Sequence, residues 1–402
     1  MNTFLRRTWA EIDLDAVKHN YNQIRKSVNP STKIMCVVKA DAYGHGATFL
    51  AKEYESLGAD WFAVSNIDEA MQLRGCAITK PILILGYTPV CMAGVLAENN
   101  ISQAILSEKY AIELSNYARK CGVSVNAHIK IDTGMSRIGL MCQDINRDYN
   151  VINSAKRICD IDNINVQGIF THFAVSDDGE EGRKNTISQY NNFMFVVNSL
   201  RDMGYKLPLC HCGNSGAIID YKDMNLDMVR AGIILYGLSP SKKLEGKLDL
   251  KPVMQLKSVV SQLKDIEDGT TVSYGKTFTA KGKRKIATVP IGYADGYSRG
   301  FSNKAEMIIN GKRVPVIGRV CMDQLMLDVT DVEDAREGSV VTVFGTDNGT
   351  EVSVNELAGI IDTINYELIC LVGKRVTRVY MKDGNQVGQF NYIQIIDYNN
   401  KR

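Results

Sequence analysis

Lys39 stands where an amine can do chemistry. It follows the apolar run Cys36–Val38 and precedes Tyr43, Gly44 and Gly46. A lysine at the end of a buried strand is costly unless its pKa falls or it reacts covalently, and imine formation with an aldehyde cofactor is the familiar use. A lysine that reaches solvent would need no such explanation. The tyrosine and the two glycines that follow favour the reactive alternative.

The elements around Lys39 predict a parallel barrel. From Lys33 to about residue 240, short β-branched runs alternate with segments of helical period, as in βα units, and about eight strands close a (β/α)₈ barrel. Lys39 then lies at the carboxyl end of the first strand, where such barrels carry catalytic groups. An open, doubly wound α/β sheet is the alternative. The predicted strands are Ile34–Lys39, Trp61–Ser65, Ile82–Gly86, Gln103–Leu106, Val125–Ile131, Gly168–His172, Leu209–Gly213 and Ile233–Gly237.

Helices are predicted at about Asp15–Ser27, before the first strand, and at Glu108–Lys120. In the second of these segments apolar residues recur at steps of three and four, and Cys121-Gly122 ends the run. The pattern in this half of the chain therefore alternates helix with strand.

A second domain of different character follows residue 240. After a polar, lysine-rich segment, apolar runs are separated by the turn dipeptides Asp268-Gly269, Asn310-Gly311 and Asn348-Gly349, which indicates a mostly-β domain. One helix is predicted there, near Val354–Asp362. We expect the barrel to occupy residues 12–240 and the second domain residues 241–402, together with 1–11.

Composition excludes several classes of protein. The 402 residues are 45% hydrophobic and 23% charged, as in ordinary globular proteins. Lys and Arg number 47 against 45 Asp and Glu, so there is no excess of positive charge for nucleic acid. The ten cysteines include no CxxC pair, which favours reduced thiols and a cytoplasmic location. No signal peptide or membrane span is expected, because the apolar runs are too short.

Two further segments resemble binding motifs but do not meet the requirements of those motifs. Gly269–Thr277 ends like a phosphate-binding P-loop, but five residues separate its glycines where four are needed. Cys210 and Cys212 share one face of a strand while His211 points to the other, so the three cannot bind one metal ion. We predict neither nucleotide binding nor a catalytic metal.

A series of motifs in order along the chain resembles the alanine racemases, pyridoxal-phosphate enzymes of fold type III, over essentially the whole length. The motifs are Val38–Gly46, Lys130–Gly139, Thr171–Phe173, Asn214-Ser215, Val229–Ile233, Val272–Gly275, Pro290–Gly296, Gly318–Gln324 and Thr363–Glu367. The resemblance implies an N-terminal barrel, a C-terminal β domain and a head-to-tail homodimer. It also implies interconversion of L- and D-alanine, which supplies D-alanine for peptidoglycan.

The resemblance assigns the chemistry to two residues. Lys39 would hold the pyridoxal 5'-phosphate and act as one acid/base, and Tyr274 of the other subunit would be the second. A racemase needs proton donors on both faces of a planar carbanion.

Cofactor contacts are implied in the same way. Arg230 would face the pyridine nitrogen, where most enzymes using this cofactor place a carboxylate, and His172 would hydrogen-bond this arginine. The phosphate would bind at Asn214-Ser215 and at the amides of Gly232 and Ile233, after the last two barrel strands. The hydroxyl groups of Tyr43 and Tyr366 would complete this pocket.

Substrate contacts follow from the same motifs. Arg137 would orient the substrate carboxylate, while the Met322 amide and Tyr293 would lie nearby. Lys130 resembles a lysine that many relatives carry as a carbamate, and an anion there would offset the charge of Arg137.

Other functions compete with this interpretation. A serine or broad-specificity racemase shares the motifs, although its close relatives carry a membrane domain and Tyr366 modestly favours alanine. A decarboxylase of this fold type is expected to have a carboxylate in place of Arg230. A non-catalytic pyridoxal-phosphate-binding protein is typically a lone barrel without a counterpart of Tyr274.

Overall fold

The computed structural model describes residues 7–393, which divide into two compact units. The first unit comprises Val17–Ala42 and Ala47–Lys251. The second comprises, among the described residues, 7–16, 43–46 and 252–393.

The first unit is built on parallel strands that pair in chain order. They are Lys33–Val37, Trp61–Val64, Ile82–Ile84, Ile101–Ile105, Val125–Asp132, Ile164–Phe170, Leu209–His211 and Met228–Ala231. The last strand also pairs with the first. Between the last two strands, the Asp227 amide donates to the Cys210 carbonyl at 3.2 Å and the Arg230 amide to the Gly213 carbonyl at 2.9 Å. The ring is therefore nearly closed, which confirms the predicted barrel.

Helices alternate with these strands. They are Leu14–Ser27, Ala47–Ser56, Ile67–Gly75, Ala93–Glu98, Glu108–Cys121, Val151–Cys159, Gly179–Asp202 and Ser215–Asp220. Glu108–Cys121 begins where Ser107 Oγ accepts a hydrogen bond from the Tyr110 amide, and it ends at Gly122, whose φ is 68°. Glycine adopts this left-handed conformation without strain, so the helix ends where the sequence predicts.

The predicted last strand, Ile233–Gly237, is wrong. The strand is Met228–Ala231, and residues Ile233–Tyr236 form a 3₁₀ turn that ends at Gly237, with φ 77°. The turn is fully buried, so its apolar run resembles a strand. The real strand carries Arg230, and a charged residue in so short a segment obscures its apolar pattern.

The second unit is mostly β, as predicted. Its main sheet consists of Thr8–Asp13, Met254–Val259, Gln262–Ile266, Arg284–Val289, Glu306–Ile309, Lys312–Ile317, Leu325–Asp328, Val340–Asp347, Thr350–Val352, Thr377–Lys382 and Asn385–Phe390. Neighbours are antiparallel except for Thr8–Asp13 with Thr377–Lys382. A separate pair of short antiparallel strands flanks Tyr274. Thr271–Val272 precedes this residue and Phe278–Thr279 follows it. Two helices, Val354–Ile360 and Asn365–Cys370, lie in the same unit.

Two of the three turn dipeptides, Asn310-Gly311 and Asn348-Gly349, act as hairpin turns. Asn310 and Gly311 have φ of 51° and 77°, and they join Glu306–Ile309 to Lys312–Ile317. Positive φ at both positions gives the strands a compatible twist, which explains the Asn-Gly sequence. Across residues 7–393, no helix has the length and apolar character needed to cross a membrane.

Candidate active site

Arg230 is a buried cation inside the barrel, with 3% of its surface exposed. Its Nη1 donates to Nδ1 and to the carbonyl of His211, at 3.0 and 3.1 Å. Its Nη2 donates to the carbonyls of Thr171 and Cys212, at 2.7 and 3.0 Å, and to His172 Nδ1 at 3.2 Å. Within residues 7–393 it forms no ion pair. Burial lowers the pKa of Arg230 to about 10, so it remains charged at pH 7 among neutral acceptors.

Two histidines extend this network across the barrel. Nε2 of His211 lies 2.9 Å from Nδ1 of His128, and both rings are fully buried. Because His211 accepts a hydrogen bond from Arg230 at Nδ1, a neutral His211 carries its proton on Nε2 and donates it to His128. His128 then carries its proton on its own Nε2, which has no partner among the described residues.

Both histidines are neutral. Burial, followed by the positive charge of Arg230, lowers the pKa of His128 to about 3. The same two causes lower the pKa of His211 well below its usual value. The ring of Phe170 stacks on His211, with centroids 5.0 Å apart and planes 3° apart.

His172 approaches Arg230 from the loop after the strand Ile164–Phe170. Burial, then Arg230, lowers the pKa of His172 well below its usual value. Gln189 holds this loop: its Nε2 donates to the His172 carbonyl at 3.3 Å and to Thr133 Oγ1 at 3.2 Å, while its Oε1 accepts from the Ala174 amide at 2.9 Å. The role of Gln189 is not predictable from the sequence, because nothing local to its helix points to these loops.

Lys39 begins a left-handed turn. Ala40, Asp41 and Ala42 have φ of 51°, 55° and 53°. This conformation costs a residue other than glycine roughly 1–2 kcal/mol, so the surroundings must hold it. The Ala42 amide donates to the Val38 carbonyl at 2.8 Å, and Asp41 Oδ1 accepts from the Ala47 amide at 2.8 Å. The lysine is thereby mounted on a strained but constrained backbone.

The predicted phosphate-binding residues come together after the last two strands. Asn214 Oδ1 accepts from the Ala217 amide at 3.1 Å and so caps the helix Ser215–Asp220. The Gly232 amide donates to Ser215 Oγ at 3.1 Å, which joins the two loops, and Ile233 is fully buried beside them.

Next to this loop, position 216 must be glycine for a steric reason. A Cβ atom there would lie 2.9 Å from the backbone of Ser176, closer than side chains tolerate. Glycine therefore allows the close approach of two backbones.

Lys130 is buried in the strand Val125–Asp132, where its Nζ donates to the Ile131 carbonyl at 3.0 Å and lies 5.1 Å from the centre of the Phe170 ring. Burial, then Arg230, lowers the pKa of Lys130 well below its usual value. Its amine is thus driven toward the neutral form.

Arg137 is exposed on the loop that follows this strand. Asp132 Oδ1 shapes the loop by accepting hydrogen bonds from three successive amides, those of residues 134, 135 and 136, at 3.0 to 3.1 Å. Gly139 closes the loop against the strand, because a Cβ atom there would lie 2.8 Å from Lys130 Cγ.

In the second unit, Tyr274 is 73% exposed. It follows Ser273, whose φ is 67° and whose Oγ donates to the Arg319 carbonyl at 2.7 Å. Gly318 permits this approach, since a Cβ atom there would lie 2.7 Å from Ser273 Cβ. The backbone around Tyr274 is therefore fixed while its side chain projects outward.

The other candidate residues of this unit form two groups. Tyr43 and Tyr366 have ring centres 6.2 Å apart, and burial raises the pKa of Tyr43 above its usual value. The Tyr293 amide donates to the Cys321 carbonyl at 3.1 Å, which places Tyr293 beside Met322 with both side chains exposed.

No three His, Cys, Asp or Glu side chains in the described part of the chain group as metal ligands. His211 instead serves as the acceptor of Arg230. The Cys-His-Cys sequence suggests His211 only as a metal ligand, and no motif in the sequence points to its role at Arg230 or to His128.

The comparisons with known proteins agree with this architecture. Residues 12–240 match the model of the alanine racemase N-terminal domain, and residues 253–380 match that of the alanine racemase C-terminal domain. An alanine racemase of Clostridium perfringens is 45% identical over 394 residues, which are 98% of this chain and 100% of that protein.

Solved structures give the same result. An alanine racemase of Clostridium difficile 630 superposes with a TM-score of 0.91 at 39% identity, covering 97% of this chain and all of that one. An alanine racemase of Bartonella henselae with covalently bound pyridoxal phosphate superposes with a TM-score of 0.80 at 28% identity, covering 94% of this chain and all of that one.

These comparisons show an isomerase that consists of a barrel and a mostly-β second domain. Both family models match, and close likeness extends along nearly the entire chain. The chain belongs to the alanine racemase family.

Proposed function

We propose that this protein interconverts L- and D-alanine with pyridoxal 5'-phosphate, using Lys39 and Tyr274 as its two bases. The observation that carries the proposal is the buried Arg230, whose acceptors are all neutral. A carboxylate in its place would favour a protonated pyridine nitrogen, whereas a charged guanidinium keeps that nitrogen unprotonated. This limits side reactions and favours simple removal and return of a proton.

The residues present fit the cofactor. Nε of Arg230 has no acceptor among residues 7–393, which leaves one N–H for a neutral ring nitrogen. Lys39 supplies the amine for the aldehyde at the carboxyl end of a barrel strand. The Ser215 hydroxyl and the Ile233 amide, with Asn214 capping the adjoining helix, suit a phosphate. The Gly232 amide, which donates to Ser215 Oγ, would turn to the phosphate when it binds. Tyr43 and Tyr366 would add hydroxyl groups.

When bound, the cofactor withdraws electrons from the α-carbon of the amino acid and so acidifies its proton. Nζ of Lys39 takes or returns that proton on one face, and Oη of Tyr274 does so on the other. Arg137 binds the substrate carboxylate, and the Met322 amide and Tyr293 line the same place. His172 accepts a hydrogen bond from Nη2 of Arg230, and His211 accepts one from Nη1.

We further propose that Lys130 is carbamylated. Only a neutral amine attacks carbon dioxide, and burial drives Lys130 toward that form. The N–C bond forms as the amine loses a proton, and the resulting anion offsets the positive charge of Arg137.

The assembly we propose is a homodimer. The barrel domain, residues 12–240, would hold the cofactor, and the second domain, residues 241–402 with 1–11, would contribute Tyr274 to the partner's site. The exposed phenol of Tyr274 is free to serve in that way. A cytoplasmic enzyme of this kind would supply D-alanine for peptidoglycan.

The test is chemical and catalytic. Purified protein with added cofactor should be yellow, and borohydride should fix the pyridoxyl group on Lys39, as found by peptide mapping. Chiral separation after incubation with a panel of L-amino acids should give D-alanine as the main product. Label on another lysine would refute the assignment of Lys39, and faster racemisation of serine would refute the preference for alanine.

A further inference from the structure

Glu69 contacts the peptide that follows Lys39. Its Oε1 accepts a hydrogen bond from the Ala40 amide at 2.7 Å, and its Oε2 accepts one from the Ser65 amide at 2.7 Å. Both distances are typical of hydrogen bonds to a charged acceptor, which are stronger than neutral ones. One carboxylate therefore joins the segments that follow the first two barrel strands.

The helix that carries Glu69 is itself fixed at this end. Asn66 caps the helix Ile67–Gly75, and its Oδ1 accepts from the Glu69 amide at 3.0 Å. Glu69 is thus held by its backbone in the first turn, and its side chain reaches back to both strands. Glu69 therefore fixes the Ala40 amide relative to the segment that follows the second barrel strand.

Ala40 is the first residue of the left-handed turn after Lys39, with φ 51°. Without a bond to its amide, the peptide between Lys39 and Ala40 is freer to rotate toward a more common conformation. That rotation would change the direction of the Lys39 side chain at its base. At the end of a long side chain, such a change becomes a large displacement of Nζ.

We propose that Glu69 is a positioning residue for Lys39, which it directs by holding the Ala40 amide. The inference rests on the proposed function, because its consequence concerns the face on which Lys39 works. Loss of the bridge should slow attachment of the cofactor to Lys39 and proton transfer by Lys39. It should affect proton transfer by Tyr274 less.

A purely helical role predicts something different. A carboxylate in the first turn stabilises a helix through its dipole, wherever its side chain points. Asp68 lies in the same first turn, is exposed, and makes no hydrogen bond through its side chain to any described residue. Asp68→Asn therefore removes the same charge from the same turn without touching Ala40, and it is the matched control.

The first measurement does not depend on activity. Apoprotein is mixed with pyridoxal 5'-phosphate, quenched with borohydride at successive times, and mapped for label on Lys39. Glu69→Gln leaves an amide NH₂ facing one of the two backbone donors, so labelling should be about tenfold slower, as expected for loss of one charge-assisted hydrogen bond. Asp68→Asn should label at the wild-type rate. Equal rates in Glu69→Gln and Asp68→Asn would overturn the proposal.

A second variant distinguishes the effect of the length of the Glu69 side chain from that of its charge. Glu69→Asp keeps the carboxylate in the first turn but shortens the side chain by one methylene, so it cannot contact both amides. It should label as slowly as Glu69→Gln, and wild-type labelling in Glu69→Asp would overturn the proposal. This comparison remains available if Glu69→Gln does not fold.

The last measurement is exchange of the α-proton in deuterated water, followed by proton NMR for each enantiomer. The family resemblance assigns the proton of D-alanine to Lys39 and that of L-alanine to Tyr274. Glu69→Gln should therefore slow exchange into D-alanine more than into L-alanine. Equal slowing would refute the positioning role and leave the proposed function intact. Absence of exchange in the wild-type protein would instead refute the proposed function.

Discussion

Lowering the pH from 7 to 5 should destabilise the barrel through His128 and His211. In the folded protein the pKa of His128 is lowered to about 3 and that of His211 is lowered in the same direction. An unfolded histidine has a pKa of about 6.5. Between these values the unfolded chain binds protons that the folded chain does not, so the free energy of unfolding falls as the pH falls.

The magnitude follows from proton linkage. Each histidine that stays neutral only when folded contributes about 1.4 kcal/mol per pH unit below 6.5. The two fully buried rings together should remove about 4 kcal/mol between pH 7 and pH 5. This is a large share of the 5–15 kcal/mol typical of a domain. Carboxylates contribute little in this window, because their unfolded pKa values lie near 4.

The assay is urea unfolding followed by circular dichroism at several pH values from 7 to 5. Three imidazoles have a pKa lowered by the fold, those of His128, His172 and His211. His128→Asn removes one of them, so the slope of unfolding free energy against pH should fall by about a third. His19→Asn is the control. His19 lies outside the network, on the helix Leu14–Ser27, and its Nε2 is 3.1 Å from Asp249 Oδ2. An unchanged slope in His128→Asn, or a wild-type protein equally stable at pH 7 and pH 5, would refute the reasoning.

Three other predictions address the site. Mixing Lys39→Ala with Tyr274→Phe chains should restore about a quarter of the active sites, since each heterodimer has one intact site; no recovery despite subunit exchange would place Tyr274 in its own chain's site. Arg230→Glu should raise transamination relative to racemisation, measured as pyruvate per D-alanine formed, and an unchanged ratio would contradict its role. Gly139→Ala should lower the free energy of unfolding by about 2 kcal/mol, because its φ is 117° and its Cβ would lie 2.8 Å from Lys130 Cγ; wild-type unfolding in urea would contradict this.

Local signals in the sequence were enough for much of the fold. The helix Glu108–Cys121 has its cap at Ser107, its apolar period and its terminal glycine within one segment. The hairpin at Asn310-Gly311 likewise depends on two adjacent residues. Such elements can be predicted because the forces that form them act between near neighbours. The strand Met228–Ala231 was not predicted correctly, because its place is set by pairing with Lys33–Val37, far away in sequence.

The candidate site divides in the same way. The sequence singles out Lys39 because a lysine after an apolar run is a local anomaly, whereas it indicates Arg230 only through the family resemblance. The histidines that accept hydrogen bonds from Arg230, His211 and His172, come from neighbouring parts of the barrel. The contribution of Glu69 arises from a helix 29 residues further along the chain than Ala40. Only the closed barrel brings these groups within hydrogen-bonding distance.

The network around Arg230 links acid stability to chemistry. His211 can accept a hydrogen bond from Arg230 only while it is neutral, since a protonated imidazole has donors alone. Burial, and after it the charge of Arg230, lowers the pKa of His211 and His128, so the arginine helps to keep its acceptor His211 neutral. A carboxylate in place of His211 would reduce this sensitivity to acid, but it would also cancel the positive charge that we propose faces the cofactor nitrogen. Neutral histidines hold the arginine without neutralising it, and sensitivity to acid follows from that choice of acceptor.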